Sequence, residues 1–259
     1  MMKIETIQTG WTLVSSSVPD RSSHKWKKAY TGLFQSKKNR IKVPVKCFYV
    51  TVKDHVFLID AGWSEQVVEH PINHLGFGLN FASEPVMVRE EAAKNQLKGK
   101  KIDLIMMTHL DCDHISGIHD FPNMKVICSK EEYKYATKNR IRYGKLLNGL
   151  NFECIDFKED ENAIFGKSSD IFGDGSVIAY LTPTHSAGSV IYKIREDKNY
   201  YLVVGDNGYM KESWENGVLP GPMYDENNMR KCLAWINDIS KDPKCLGILC
   251  AHERTLEND

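Results

Sequence analysis

The sequence predicts an α+β protein in which stacked sheets are flanked by helices. Three observations carry this expectation. Short apolar runs rich in β-branched and aromatic residues recur in both halves. Stretches of helical period fall between them. Several of the runs end in loops that carry His and Asp. At 259 residues the chain has room for one large domain or two small ones, with a sizeable core either way.

The elements follow in order. Trp11-Thr12-Leu13-Val14 reads as a strand, as does 43–52, which contains Val43, Val45, Phe48, Tyr49 and Val50. The turn-like Lys53-Asp54 separates it from a third strand at 55–60. Between the first two, residues 20–42 are basic and polar and read as a surface excursion. Residues 63–85 mix Pro71, Gly76, Gly78 and Pro85 with Leu75, Phe77, Leu79 and Phe81. They are too irregular for a core element and too apolar for an ordinary loop, so a mobile flap over a site, or a dimer contact, is expected. Residues 86–98 read as a helix, with Glu90 and Glu91 early and Lys98 late, as the macrodipole favours. A strand at 102–107 follows. The second half predicts a strand at 124–128, a helix at 130–141 and strands at 176–181, 189–194 and 200–204. A helix at 226–240 carries the stripe Met229, Cys232, Leu233, Trp235 and Ile236, and a last strand covers 246–250.

The loop after the 102–107 strand is the densest chemical signal in the chain. Thr108-His109-Leu110-Asp111-Cys112-Asp113-His114 places four potential metal donors within six residues. Alternate residues His109 and Asp111 can point to one ion, and the adjacent pair Asp113-His114 to another. Imidazole and carboxylate together suit Zn, Fe or Mn at a hydrolytic centre. Three further donors also stand at strand ends: His185 after Thr182-Pro183-Thr184, Asp206 after Gly205, and His252 after Cys250-Ala251. Strand ends converge at one sheet edge, so these positions can meet in space. Cys112, within the motif, reads as a spacer facing the core, because no thiolate-activating partner is visible. His119 reads as an outer or exposed residue. His70 and His74 have i, i+4 spacing, but Pro71 between them argues against a metal pair.

This set resembles the metallo-β-lactamase superfamily. The matching blocks are His-x-Asp-x-Asp-His at 109–114, His185 after Thr-Pro-x, Gly205-Asp206, the late His252, and Asp60-Ala61-Gly62 after an apolar strand. All fall in order, over nearly the whole chain. The resemblance implies a single domain over 1–259, built as an αββα sandwich of two mixed sheets flanked by helices. It implies one ion held by His109, Asp111 and His185, a second by Asp113, His114 and His252, and Asp206 bridging the two. Asp111 stands where the family usually has a second His; a carboxylate there shifts the metal preference toward Fe or Mn. Within the superfamily the chain looks most like the N-acyl homoserine lactonase group, on Asp206-Asn207-Gly208-Tyr209, Phe121-Pro122-Asn123 and Ala251-His252-Glu253. That likeness implies that Tyr209 assists the substrate carbonyl, that Asp113 shuttles a proton, and that two divalent ions, zinc foremost, are the cofactors.

Composition narrows the alternatives. Lys+Arg and Asp+Glu are both 34, so no broadly basic surface for nucleic acid is expected. No apolar stretch reaches membrane-spanning length, and the polar start lacks a signal-peptide core. The seven cysteines are odd in number and several lie in apolar runs, so buried thiols in a reducing cytoplasm are expected rather than disulfides. The expectation is a cytoplasmic metal-dependent hydrolase acting on a small-molecule lactone or ester, with no nucleic-acid or membrane partner and with a homodimer open. Three alternatives stand beside it: a phosphodiesterase or nuclease, suggested by Asp111; a diiron oxidoreductase, for which the chain has no length left to add a flavin domain; and a non-catalytic metal-binding module.

Overall fold

Strands that must cover two apolar layers show both faces as apolar, and the first hairpin is built this way. The computed structural model describes residues 2–23 and 36–253. Strand β1 (Lys3–Ser15) pairs antiparallel with β2 (Arg40–Val52), which pairs antiparallel with β3 (His55–Ile59). Along β2, Val45, Cys47 and Tyr49 point into one apolar cluster and Phe48, Val50 and Val52 into another. This is the period-two alternation of a strand buried on both sides. Most of the basic 20–42 stretch lies outside the described residues.

The chain then makes three short helices, α1 (Gln66–Glu69), α2 (Pro71–Leu75) and α3 (Phe77–Ala82), and an edge strand, β4 (Glu84–Val86). This corrects the irregular backbone expected for 63–85. Pro71 occupies the first turn of α2, where a missing N–H costs nothing, so it starts a helix rather than preventing one. The helix expected at 86–98 is also shorter. Val86 belongs to β4, Arg89–Glu91 form a single 3-10 turn, Ala92 adopts an extended backbone, and only α4 (Ala93–Gln96) is α-helical.

Next come β5 (Leu104–Met106), α5 (Cys112–Ile115), β6 (Val126–Ser129), α6 (Lys130–Lys138), α7 (Arg140–Tyr143) and β7 (Glu153–Ile155). The second sheet is built from β8 (Lys158–Glu159), β9 (Lys167–Asp170), β10 (Val177–Leu181), β11 (Val190–Glu196) and β12 (Asn199–Val203), then α8 (Lys211–Glu215), α9 (Glu226–Ile239) and β13 (Cys245–Leu249).

The sheets have the orders β4-β1-β2-β3-β5-β6-β7 and β13-β12-β11-β10-β9-β8, and each mixes parallel and antiparallel pairs. One apolar cluster lies between them, with Phe57, Ile59 and Met106 facing Val177, Tyr192 and Ile194. A second packs the first sheet under its helices, and a third packs the other sheet under α8 and α9 through Trp214, Met229, Leu233 and Ile236. The α9 stripe is therefore buried as its period predicts, with Trp235 at its margin. Each such side chain contributes about 1.5–3 kcal/mol. The result is an αββα sandwich. All seven cysteines are unpaired, and no helix among the described residues is long and apolar enough to cross a membrane.

Candidate metal centre

Five loops deliver the site, and each leaves the C-terminal end of a strand. Strands β3 and β5 run in one direction in the first sheet, and β10, β12 and β13 in one direction in the second. Their ends carry Asp60, residues 108–114, His185, Asp206 and His252. The backbone pays for this crowding. Asp60 has φ 57°, sparsely populated for a residue with a side chain. Gly205 has φ 52°, and a Cβ there would lie 2.7 Å from Thr108 Oγ1, so glycine is required immediately before Asp206.

The structure brings all seven sequence-predicted donors together. His109, Asp111 and His185 offer ligand atoms within 4.8 Å of one another, and so do Asp113, His114 and His252. Asp206 lies between: its Oδ1 is 3.3 Å from His114 Nε2 and 3.2 Å from His252 Nε2, and its Oδ2 is 3.8 Å from His109 Nε2 and 3.7 Å from His185 Nε2.

The ring nitrogens are sorted by what lies behind them. His252 Nδ1 donates to the Pro44 carbonyl at 2.8 Å, and His114 Nδ1 to Asp60 Oδ2 at 2.8 Å. The Thr108 hydroxyl donates to Asp60, so at 3.0 Å from His109 Nδ1 it accepts from that ring. These contacts leave the Nε2 lone pairs of His109, His114 and His252 pointing inward. None has a hydrogen-bond partner, and neither has Asp206 Oδ1 or His185 Nδ1. A buried polar atom left unpaired costs about 1–3 kcal/mol. Several converging on one point, with carboxylates among them, are what a divalent cation relieves, and the mix of imidazole and carboxylate fits zinc or a neighbouring transition metal.

The carboxylates draw positive charge, a proton or a cation, toward the inward nitrogens. Burial disfavours charge on His114, but Asp206 and Asp60 outweigh it and hold its pKa well above the usual imidazole range. Burial likewise opposes charge on Asp206, but His252 and His114 hold its carboxyl well below the usual range. Tyr209 is buried and stacks on His252, with ring centroids 4.3 Å apart. Burial, and then the carboxylates of Asp206, Asp113 and Asp111, push its phenol well above the ordinary value, so it remains a donor at neutral pH. Cys112 is buried, as expected of a spacer.

Two residues of the site escaped the sequence reading. Arg142, on α7, grips Asp111 with Nε to Oδ1 and Nη2 to Oδ2, both at 2.7 Å. Burial opposes charge on Asp111, but the guanidinium holds its carboxyl well below the usual range. The signal was indirect: a carboxylate in place of a second His calls for a compensating cation, with nothing to say which of the 34 basic residues supplies it. Glu132 is the other. Its Oε1 accepts from Leu110 N and Tyr143 OH, and its Oε2 from Ser186 OH and Gly188 N, so one buried carboxylate ties the 108–114 loop to the His185 loop. In sequence, Ser129-x-x-Glu132 reads only as a helix cap.

Fold and donor cluster together define the class: a metal-dependent hydrolase on an αββα sandwich. The sequence profile of the Metallo-beta-lactamase superfamily matches residues 40–244, and the chain belongs to that superfamily. It is 27% identical over 194 residues to the N-acyl homoserine lactonase AttM of Rhizobium radiobacter, covering 70% of this chain and 71% of that one. It is 28% identical over 192 residues to an N-acyl homoserine lactonase of Bacillus cereus, covering 70% of each. In fold it is similar to a solved N-acyl homoserine lactone hydrolase with N-hexanoyl-L-homoserine bound at its catalytic metal centre. That match has a TM-score of 0.75 and 23% identity, and covers 97% of this chain and 93% of the other.

Proposed function

We propose that this chain, as one domain over 1–259, opens the lactone ring of an N-acyl homoserine lactone or cleaves a closely related small carboxylic ester. His109, Asp111 and His185 would hold one divalent ion and Asp113, His114 and His252 a second, with Asp206 lying between the two donor sets and zinc the foremost metal. The observation that carries this reading is the set of inward Nε2 lone pairs on His109, His114 and His252, each oriented from behind by an acceptor. The likeness to the lactonases of Rhizobium radiobacter and Bacillus cereus supports the substrate class. Seven unpaired cysteines suit a reducing cytoplasm.

When bound, divalent ions in such a site acidify water and polarise a carbonyl oxygen. The chain's own residues do the rest. Tyr209, neutral and stacked on His252, presents a phenol O–H to the oxyanion that forms from the carbonyl. Asp113, whose Oδ2 lies 3.6 Å from His252 Nε2, takes the proton released by the attacking water and passes it to the departing alkoxide. Helix α3 packs beside α7, which carries Arg142, and its Phe77 and Phe81 are exposed, which supplies an apolar surface for an acyl chain.

The test is turnover of protein purified without chelator on N-hexanoyl homoserine lactone, a thioester and a phosphodiester in parallel. Lactone hydrolysis that chelator abolishes and zinc restores is expected. Phosphodiester or thioester turnover without lactone turnover overturns the reading.

A further inference from the structure

The two donor sets are not equivalent. Around Asp113, His114 and His252, the facing ring nitrogens and Asp206 Oδ1 have no partner. Around His109, Asp111 and His185, His109 Nε2 is likewise unpartnered, but the other two donors already face a cation. Both Asp111 oxygens face the Arg142 guanidinium at 2.7 Å, and the same Nη2 lies 3.0 Å from His185 Nε2. His185 Nε2 is also 2.9 Å from Asp111 Oδ2. A ring nitrogen carries either a proton or one in-plane lone pair. If Nε2 is protonated it donates to Asp111; if not, it accepts from Arg142. In neither case is its lone pair free, and the unpartnered atom of this ring is Nδ1 instead. Guanidinium never loses its charge, and its planar fork matches a carboxylate bidentately.

We propose that Arg142 stands in the cation's place at the His109–Asp111–His185 position, so that the two metal positions load in order. The Asp113–His114–His252 position takes an ion first, and the other takes one only when the guanidinium swings off Asp111 and His185. This rests on reading the cluster as a metal site. The side chain can make that swing by rotation, without moving α7. The backbone beneath it is held by Tyr143, which is buried and bonded through its hydroxyl to Glu132 Oε1 at 3.1 Å. The departure from a second His is thereby explained as a pair: the carboxylate at 111 exists with the arginine at 142, and together they make occupancy of one position conditional.

The experiment is stepwise dialysis of the full-length protein, as purified, against buffers of falling free zinc, with zinc per chain read by elemental analysis. The wild type should lose zinc in two steps, separated by at least about tenfold in free zinc. Arg142→Met, which keeps bulk and removes charge, should draw the steps together by tightening the weaker one. If circular dichroism shows Arg142→Met unfolded, Arg142→Lys carries the test. An ammonium cannot reproduce the fork, so its weaker step should also tighten. A single two-zinc step in the wild type overturns the proposal, as do two steps unchanged in a folded variant. Single-step loss with lactone turnover intact overturns this proposal alone. Ordered loss without lactone turnover overturns only the lactonase reading. A chain that never holds zinc overturns both.

Discussion

Two histidine clusters lie close together along this chain, and they are built on opposite rules. His114 sits on α5, with Asp60 behind it and Asp206 in front, and its Nε2 has no hydrogen-bond partner. Two residues on, Ser116 Oγ lies 2.9 Å from His74 Nε2, and His74 meets His119 edge to face at 5.2 Å. His119 Nε2 donates to the Leu146 carbonyl at 2.9 Å. These two rings line a separate cavity of about 420 Å³, with Glu65, Glu69 and Lys145, that contains none of the metal donors. Carboxylates and imidazoles are present in both places. What separates them is the direction of the ring nitrogens. In one cluster they converge unpaired on carboxylates; in the other the ring contacts end on a hydroxyl and a carbonyl. Density of His is therefore a poor marker of a metal site, and unpaired convergence is a good one.

Removing one ring from each cluster breaks this contrast most sharply. Loss of a partner behind a metal ligand costs roughly 10–100-fold in metal affinity or activity, so loss of the ligand costs at least about 100-fold. His114→Ala is expected to lose zinc on elemental analysis and to lower lactone turnover by at least that factor. His74→Ala should keep its zinc and its turnover, and cost about 1–3 kcal/mol in chemical unfolding through Ser116 and the space left behind. A His74→Ala protein that loses zinc would erase the distinction.

The same contrast explains what could be read in the sequence. The strand-plus-loop block at 104–114 was legible because metal chemistry compresses its donors into a few residues after a short apolar run. The strand ends before His185, Asp206 and His252 were legible for the same reason. The helix α9 was legible through its stripe. Beyond Asp60, the groups that support the donors were not. Pro44 contributes only a carbonyl, Arg142 is one basic residue among many, and Glu132 doubles as a helix cap. Residues 63–85 misled because α1, α2 and α3 are each too short to show a period, and Gly76 and Pro71 begin helices there rather than loops. Strand β8 at the sheet edge and β9 beside it carry polar residues that are exposed or half-buried, so no apolar alternation marked them.

Asp60 offers a finer cut. It is not itself one of the proposed metal donors, yet its Oδ2 fixes His114 Nδ1 at 2.8 Å and its two oxygens accept from Thr108 N and Oγ1. Asp60→Asn removes the charge that holds the His114 proton on Nδ1. The expected loss is about 10–100-fold in zinc affinity, measured by competition with a chelating dye, with the fold intact. Unchanged affinity would mean that orientation from behind is not what distinguishes this cluster.

Tyr209→Phe separates packing from chemistry within the cluster. The stack on His252 survives the change and only the hydroxyl is lost. Zinc content should stay at the wild-type value while kcat falls about 100-fold, the lower end of what a single oxyanion donor is worth. A fall in zinc with kcat per zinc unchanged would assign the tyrosine to holding His252 rather than to the substrate.

The last effect belongs to the other cluster and appears only as a function of pH. Burial, then His119 and Lys145, pushes the His74 pKa down from 6.5 to about 4. Above pH 6.5 the ring is neutral both folded and unfolded, and its contribution does not change with pH. As the pH falls from about 6.5 to about 4, the unfolded chain binds a proton that the folded chain refuses. Stability therefore drops with acidification across this window, by at most about 1.4 kcal/mol per pH unit, and flattens below it. The measurement is the urea midpoint of zinc-saturated protein from pH 4 to 7, taken as the difference between wild type and His74→Asn. Asparagine does not titrate here, so the variant should lose this part of the slope, and the difference curve should bend near pH 6.5. Parallel curves would mean that His74 accepts a proton in the folded state without cost, and the cavity around it would then be open to charge.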